Sequence, residues 1–120
     1  MDELTDKIIG AAIEVHRTLG PGLLESIYEE ALCLELQMRG LSVRRQVDAD
    51  VNYKGHIIKG QRLDMLVEGQ VIVEIKSVAK LPEVATSQVL SYLKATNLKR
   101  ALLLNFGERL MVDGIKRISL

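Results

Sequence analysis

Asp64, Glu74 and Lys76 are the residues of this 120-residue chain whose types and spacing most directly suggest chemistry. They lie in Gln61-Arg62-Leu63-Asp64-Met65-Leu66-Val67 and Val71-Ile72-Val73-Glu74-Ile75-Lys76, two runs that otherwise read as buried β-strand. Side chains alternate faces along a strand, so Glu74 and Lys76 share one face and Val71, Val73 and Ile75 the other. By the same alternation Asp64 should point away from Leu63, Met65 and Val67. Charges in such apolar strands are costly unless they are paired or bound to a cation. Two carboxylates and one amine on adjacent strands suit metal-assisted phosphodiester hydrolysis. The carboxylates offer hard oxygen ligands to Mg²⁺ or Mn²⁺. Such a cation polarises the phosphate and lowers the pKa of a bound water, and the amine can orient that water or offset developing charge. A strand face whose charges are merely solvated or salt-bridged has the same spacing, and these three residues alone do not separate the two readings.

Two other groupings bear on the choice. Gln88 and Tyr92 are four apart in the helical stretch that follows Lys76, so an amide and a phenol lie on one face. They could position a phosphate, a nucleotide edge or the attacking water, or simply belong to an amphipathic helix packed on a sheet. Glu25 opens another helix, where a carboxylate is favoured by the dipole. Since Glu25 and Tyr28 lie three apart on one helical face, Glu25 could instead bring a further carboxylate to a metal.

Several elements must position these groups. Residues 2–19 read as a helix with Ile8, Ala12, Val15 and Leu19 on its apolar stripe, stopped by Gly20-Pro21-Gly22. A second helix runs from near Leu23 to just before Gly40, with Leu24, Ile27, Tyr28, Ala31, Leu32 and Met38 as its apolar side and Gly40 as its cap. From Leu41 the pattern is extended, with a hairpin turn at Lys54-Gly55, an interruption at Gly60 and a turn at Glu68-Gly69-Gln70. A helix over about 84–95, an apolar strand over 100–106 and a weaker extended arm over 109–120 complete the order: helix, helix, three strands, helix, two strands.

Composition bounds what this scaffold can be. The length suits one domain, 1–120, with a modest core. Only Phe106, Tyr28, Tyr53 and Tyr92 are aromatic, so the core must be aliphatic. Sixteen basic and sixteen acidic residues cancel, which argues against a generic polyanion binder with a large positive field. The charge is unevenly spread: −3 over residues 1–60 and +3 over 61–120. Cys33 has no partner for a disulfide or a zinc site and reads as a small apolar residue. His16 and His56 lack companions at metal-binding spacing and read as surface or hydrogen-bonded residues. With no apolar signal core in Met-Asp-Glu-Leu-Thr-Asp-Lys and no membrane-length run, the expectation is a cytoplasmic protein without membrane partners.

Taken in order, Gly22-x-x-Glu25-x-x-Tyr28, Asp64, Glu74-x-Lys76 and Gln88-x-x-x-Tyr92 resemble the small bacterial GxxExxY proteins of the PD-(D/E)XK nuclease-like superfamily, near the exonuclease branch that carries a Gln-x-x-x-Tyr helix. The resemblance runs from Ile8-Ile9-Gly10-Ala11-Ala12 to Asn105-Phe106-Gly107. It implies a restriction-endonuclease-like α/β fold, a central mixed and mostly antiparallel sheet flanked by helices. It implies that Asp64, Glu74 and the backbone carbonyl of Ile75 bind Mg²⁺ or Mn²⁺, with Glu25 as a helix carboxylate near the metal. Lys76 corresponds to the catalytic lysine, and Gln88 and Tyr92 to the substrate-binding helix. One position departs from the pattern: a His commonly stands three residues before the Gln, and here that residue is Ala85. The resulting expectation is a metal-dependent nuclease acting on DNA or RNA. The alternative is a non-catalytic nuclease-like module that binds nucleic acid, a nucleotide or a protein partner, since nuclease folds also host binding-only members. Small size and zero net charge further suggest a homodimer.

Overall fold

A computed structural model describes residues 2–120. Helices α1 (Glu3–Leu19) and α2 (Glu25–Met38) come first, then strands β1 (Val43–Asp48), β2 (Val51–Tyr53), β3 (His56–Ile58), β4 (Arg62–Val67) and β5 (Val71–Lys76). Helix α3 (Val84–Thr96), strand β6 (Arg100–Asn105), a 3-10 turn (Met111–Gly114) and strand β7 (Ile115–Ser119) follow. Five strands form one sheet in the order β1-β4-β5-β6-β7; every neighbouring pair is antiparallel except β5 and β6, which α3 connects in parallel. This is the mixed, mostly antiparallel sheet flanked by helices that the sequence leads one to expect. No helix of the described residues is long and apolar enough to cross a membrane.

The period of the apolar residues divides the interior into two cores. Val71, Val73 and Ile75 of β5 pack with Leu102 and Leu104 of β6 against Ile8, Ala12 and Val15 of α1 and Tyr28, Leu32 and Leu36 of α2. On the opposite face Ile72, Leu103 and Ile118 pack against Ala85, Val89 and Leu93 of α3. Helices thus cover both faces, as a buried sheet with near-continuous apolar strands requires. Aliphatic side chains dominate, and each fully buried Leu or Ile contributes on the order of 1.5–3 kcal/mol. Phe106 and Tyr28 form the aromatic centre of the first core, their rings stacked at 4.5 Å between centroids. His16 is buried beside them, with Nε2 2.8 Å from the Glu108 carbonyl oxygen, a hydrogen-bonded core histidine.

Three features differ from the sequence reading. Between α2 and α3 there are five strands, not three, because the Ala49 N–H donates to the Gln61 carbonyl at 2.8 Å and closes residues 50–60 into a separate β2–β3 hairpin. The Lys54-Gly55 turn of that hairpin is where the sequence places it, with both residues at positive φ (50° and 86°). Helix α2 is rotated relative to the expected stripe. Leu24, Ile27 and Met38 are exposed, while Glu29, Cys33 and Leu36 face inward with Tyr28 and Leu32. Finally, Leu63 does not share a face with Met65 and Val67: it belongs to the α3-side core and they belong to the α1–α2 side. The switch falls at Asp64, where the pairing of β4 with β5 stops.

Candidate active site

Strand β4 pairs with β5 only through Met65↔Val73, Leu66↔Ile72 and Val67↔Val71. Beyond that point Glu74, Ile75 and Lys76 keep their β6 partners but lose β4, while Leu63 and Arg62 pair only with β1. Opposite Asp64 on β1, Gln46 sits at φ 53°, so the ladder is interrupted on that side too. Side chains fill the gap where backbone groups would have met. The Asp64 N–H donates to Glu74 Oε1 at 2.7 Å, and the Ile75 N–H donates to Asp64 Oδ2 at 2.9 Å. Each carboxylate therefore satisfies the other strand's orphaned N–H, as buried amides require, and each keeps one oxygen without a protein donor among the described residues.

The electrostatics of this pair are strained. Glu74 is pushed up to about 8, first by burial and then by the charge of Asp64, against the opposing pull of the Asp64 N–H and the Lys76 ammonium. Asp64 is raised by burial, partly offset by the Ile75 N–H, with further upward pressure from Glu29 and Glu25. Lys76, two residues after Glu74 on the same side of β5, lowers both. The Tyr92 phenol is raised by burial and then by Glu74 and Asp64, which places α3's ring within electrical reach of the pair. Two hard carboxylates with free oxygens and a shortage of positive charge match the donor chemistry of a divalent cation, so the residues present fit one.

The sequence-derived residues are therefore only partly gathered. Asp64, Glu74, Ile75 and Lys76 meet at the parted strands, and half-buried Tyr92 of α3 lies near enough for the charges of Glu74 and Asp64 to raise its phenol. Gln88 lies one turn before Tyr92 with an exposed side chain that makes no hydrogen bond to them. Glu25 is exposed in the first turn of α2 and acts on Asp64 through its charge. Among the described residues no three His, Cys, Asp or Glu side chains stand close enough together to hold a metal, so Glu25 does not join Asp64 and Glu74 in one cluster in this conformation. A cleft of about 770 Å³ lies between Pro21–Ser26 and Ser77–Ala79, the segment that follows Lys76; Glu25 lines it and Asp64 and Glu74 do not.

Reasoning from the sequence missed the residues that hold these groups in place. Glu29 is buried and binds Arg45 (2.9 Å) and Gln46 (3.1 Å), and its charge reaches both Asp64 and Glu74. Its signal was present: it stands one helical turn after Glu25, next to the buried Tyr28. Asn105 fixes the segment after Lys76. Its Oδ1 accepts from Val78 N–H (3.1 Å) and Gly107 N–H (3.0 Å), and its Nδ2 donates to the Val78 carbonyl (3.0 Å). A Cβ at Gly107 would stand 2.2 Å from that same Val78 carbonyl oxygen, so the loop closes only over glycine. Tyr28 does the equivalent for the other wall, donating its O–H to the Gly20 carbonyl and accepting from the Leu23 N–H at 3.1 Å. Tyr28→Phe keeps the stacked ring but leaves those two backbone groups without their partner. Urea unfolding is expected to show a loss of about 1–3 kcal/mol; an unchanged midpoint would mean that the loop finds other partners.

A mixed sheet covered by helices on both faces, with an acidic pair and a lysine where two central strands part, defines a restriction-endonuclease-like fold. The chain belongs to the PD-(D/E)XK nuclease superfamily, whose family model matches residues 2–118. Comparison with curated proteins and with solved structures gave no match.

Proposed function

We propose that this protein is a Mg²⁺- or Mn²⁺-dependent nuclease that hydrolyses phosphodiester bonds of DNA or RNA, a GxxExxY-type member of the superfamily. The observation that carries the reading is the Asp64–Glu74 pair across the parted strands, each with a free oxygen and each raised towards protonation by burial and by neighbouring negative charge. Asp64, Glu74 and the carbonyl of Ile75 would hold the cation, with Glu25 adding negative charge from the start of α2. When bound, the cation supplies Lewis acidity and a water of lowered pKa. Lys76 holds and orients the attacking water and offsets charge that develops on the phosphate. Tyr92 and Gln88, on one face of α3, position the scissile phosphate.

The test is cleavage of labelled single- and double-stranded DNA and RNA with Mn²⁺, Mg²⁺ or EDTA. Metal-dependent cleavage of at least one substrate is expected, and no cleavage of any would overturn the enzymatic reading. One observation favours the second reading, a binding-only module: Ala85, where the GxxExxY resemblance leads one to expect a His, is buried in the α3-side core and offers nothing to a substrate. Tight nucleic-acid binding without cleavage under any metal would select it.

A further inference from the structure

The charged groups of the two helical layers are arranged very differently. Residues 2–39, which form α1 and α2, hold eight acidic and three basic side chains. All three cations there, Lys7, Arg17 and Arg39, are spent in ion pairs on their own helices. Between Lys76 and Lys99, the stretch that contains α3, there are four lysines against Glu83 alone, and none of the four is in an ion pair among the described residues. A polyanion is therefore drawn to the α3 side of the sheet and repelled from the other, although the whole chain is neutral.

On that same side stands the β2–β3 hairpin. Residues 51–60 are all exposed, yet Val51, Tyr53, Ile57 and Ile58 are large and apolar, at 40 %, 58 %, 58 % and 52 % exposure. A lone two-stranded hairpin is marginal in water, and this one has no third strand. Its base is nonetheless fixed to α3. Ala49 sits in the α3-side core, the Gln61 amide donates to the Ala49 carbonyl at 3.2 Å, and the Ser91 hydroxyl donates to Gln61 Oε1 at 3.2 Å. A groove of about 310 Å³ runs between the hairpin base and α3, with Lys94 on its α3 wall and Asp50, whose charge Lys59 pairs at 2.6 Å, at the hairpin base. At the tip the Lys54 ammonium lies 5.4 Å from the centre of the Tyr53 ring, so a cation and an aromatic face are presented together. Residues 51–60 contain no carboxylate to oppose a phosphate.

We propose that the β2–β3 hairpin and α3 form the arm that binds an unpaired nucleic-acid strand leading to the Asp64–Glu74 site. Lys94 and Lys54 contact its phosphates and Tyr53 stacks on one of its bases. Unpaired strands are favoured because stacking needs a base whose face is free, and because two or three lysines are too few to hold a duplex by its backbone. Ser91 and Tyr92 are neighbours on α3, so the arm is continuous with the candidate active site. The proposal rests on the nuclease reading for the strand's destination, but binding can be measured apart from cleavage.

The experiment is fluorescence anisotropy of the full chain with a labelled oligothymidylate and with a labelled duplex, in EDTA, alongside sedimentation to read the oligomeric state. The parent is expected to bind the single strand more tightly than the duplex. Tyr53→Ala should weaken single-strand binding roughly tenfold or more and Tyr53→Phe should restore it. Lys54→Ala should reduce the slope of log affinity against log salt by about 0.7, as loss of one phosphate contact requires. Both positions are exposed, so folding is not at issue. If the parent binds while Tyr53→Ala and Lys54→Ala bind like it, the arm is wrong and the nuclease reading stands. If no oligonucleotide binds, the arm is wrong, and the cleavage assay with metal decides the nuclease reading separately. A parent dimer that Ile57→Asp converts to monomer would overturn the proposal by assigning the hairpin's apolar surface to a second copy of the chain.

Discussion

Glu74→Gln is expected to bind Mn²⁺ at least tenfold more weakly than the parent, a loss of about 1.4 kcal/mol or more, and yet to unfold at a higher temperature in metal-free buffer at pH 8. Both effects have one cause. Glutamine keeps the shape and the oxygen that accepts the Asp64 N–H, but removes the charge a hard cation needs. In the parent the Glu74 carboxyl is raised from 4.5 to about 8 by burial and by Asp64. Between those values the folded chain binds more protons at this site than the unfolded chain does, so stability falls as pH rises through that window. Below the unfolded value the carboxyl is neutral in both states and the variant gains nothing. Above about 8 the gain is complete, on the order of a few kcal/mol, because the parent must then hold an ionised carboxylate against its neighbour. Thermal melts of both proteins at several pH values, without metal, read the sign directly.

The same shift makes metal binding a proton-releasing event. At pH 7 a cation entering between Asp64 and Glu74 must displace the proton that Glu74 holds, so affinity for Mn²⁺ should climb with pH until about 8 and then level off. Calorimetry in two buffers of different ionisation enthalpy should give different heats at pH 7 and converging heats at pH 9. Asp64→Asn is expected to weaken Mn²⁺ binding in the same way and to relieve Glu74 by removing the like charge beside it. Parent-like metal binding in both variants would remove this pair from the proposed site.

The strands that hold the pair were legible because their signal is local. Val71–Lys76 is an apolar, β-branched run with Glu74 and Lys76 two apart, and the turns at Glu68-Gly69 and Lys54-Gly55 carry residues at positive φ where the sequence offers glycine. The face of Leu63 was not legible, because strict alternation assumes an unbroken ladder and this one parts at Asp64 in exchange for two side-chain hydrogen bonds. Helix α2 misled for a related reason. Its sequence holds apolar residues nearly all round, and the inward face is the one that buries Tyr28, Leu32 and Leu36 while Glu29 meets Arg45 and Gln46 of β1, leaving Leu24 and Ile27 outside. Asn105 and Gly107 act on backbone distant in sequence, so no spacing rule could find them, whereas Glu29 stood one helical turn after Glu25 and only its partners on β1 were out of sight. Glu25 was legible from helical spacing with Tyr28, but the rotation of α2 places it at the rim of the cleft.

Lys76→Ala is expected to lower metal-dependent cleavage roughly 10²-fold or more, the range usual for loss of a positioned catalytic group, while leaving Mn²⁺ bound. Its ammonium is the cation of this chain that pulls both Asp64 and Glu74 towards the ionised state, so removing it should raise the Glu74 carboxyl further and lower metal-free stability at pH 8. A bound divalent ion takes over that electrostatic duty, so melts in saturating Mn²⁺ should bring the variant close to the parent. What the metal does not replace is the donor that orients the attacking water, and there the loss of rate should persist. Gln88→Ala provides the contrast. Gln88 is exposed and makes no hydrogen bond to the carboxylates, so its loss should spare metal affinity and stability and weaken only substrate binding or turnover. Tyr92→Phe, which removes only the hydroxyl of a half-buried ring, should follow Gln88→Ala with a smaller effect. If Lys76→Ala cleaves like the parent, the chemistry resides elsewhere. If Gln88→Ala loses metal binding, α3 belongs to the metal site and not to the phosphate.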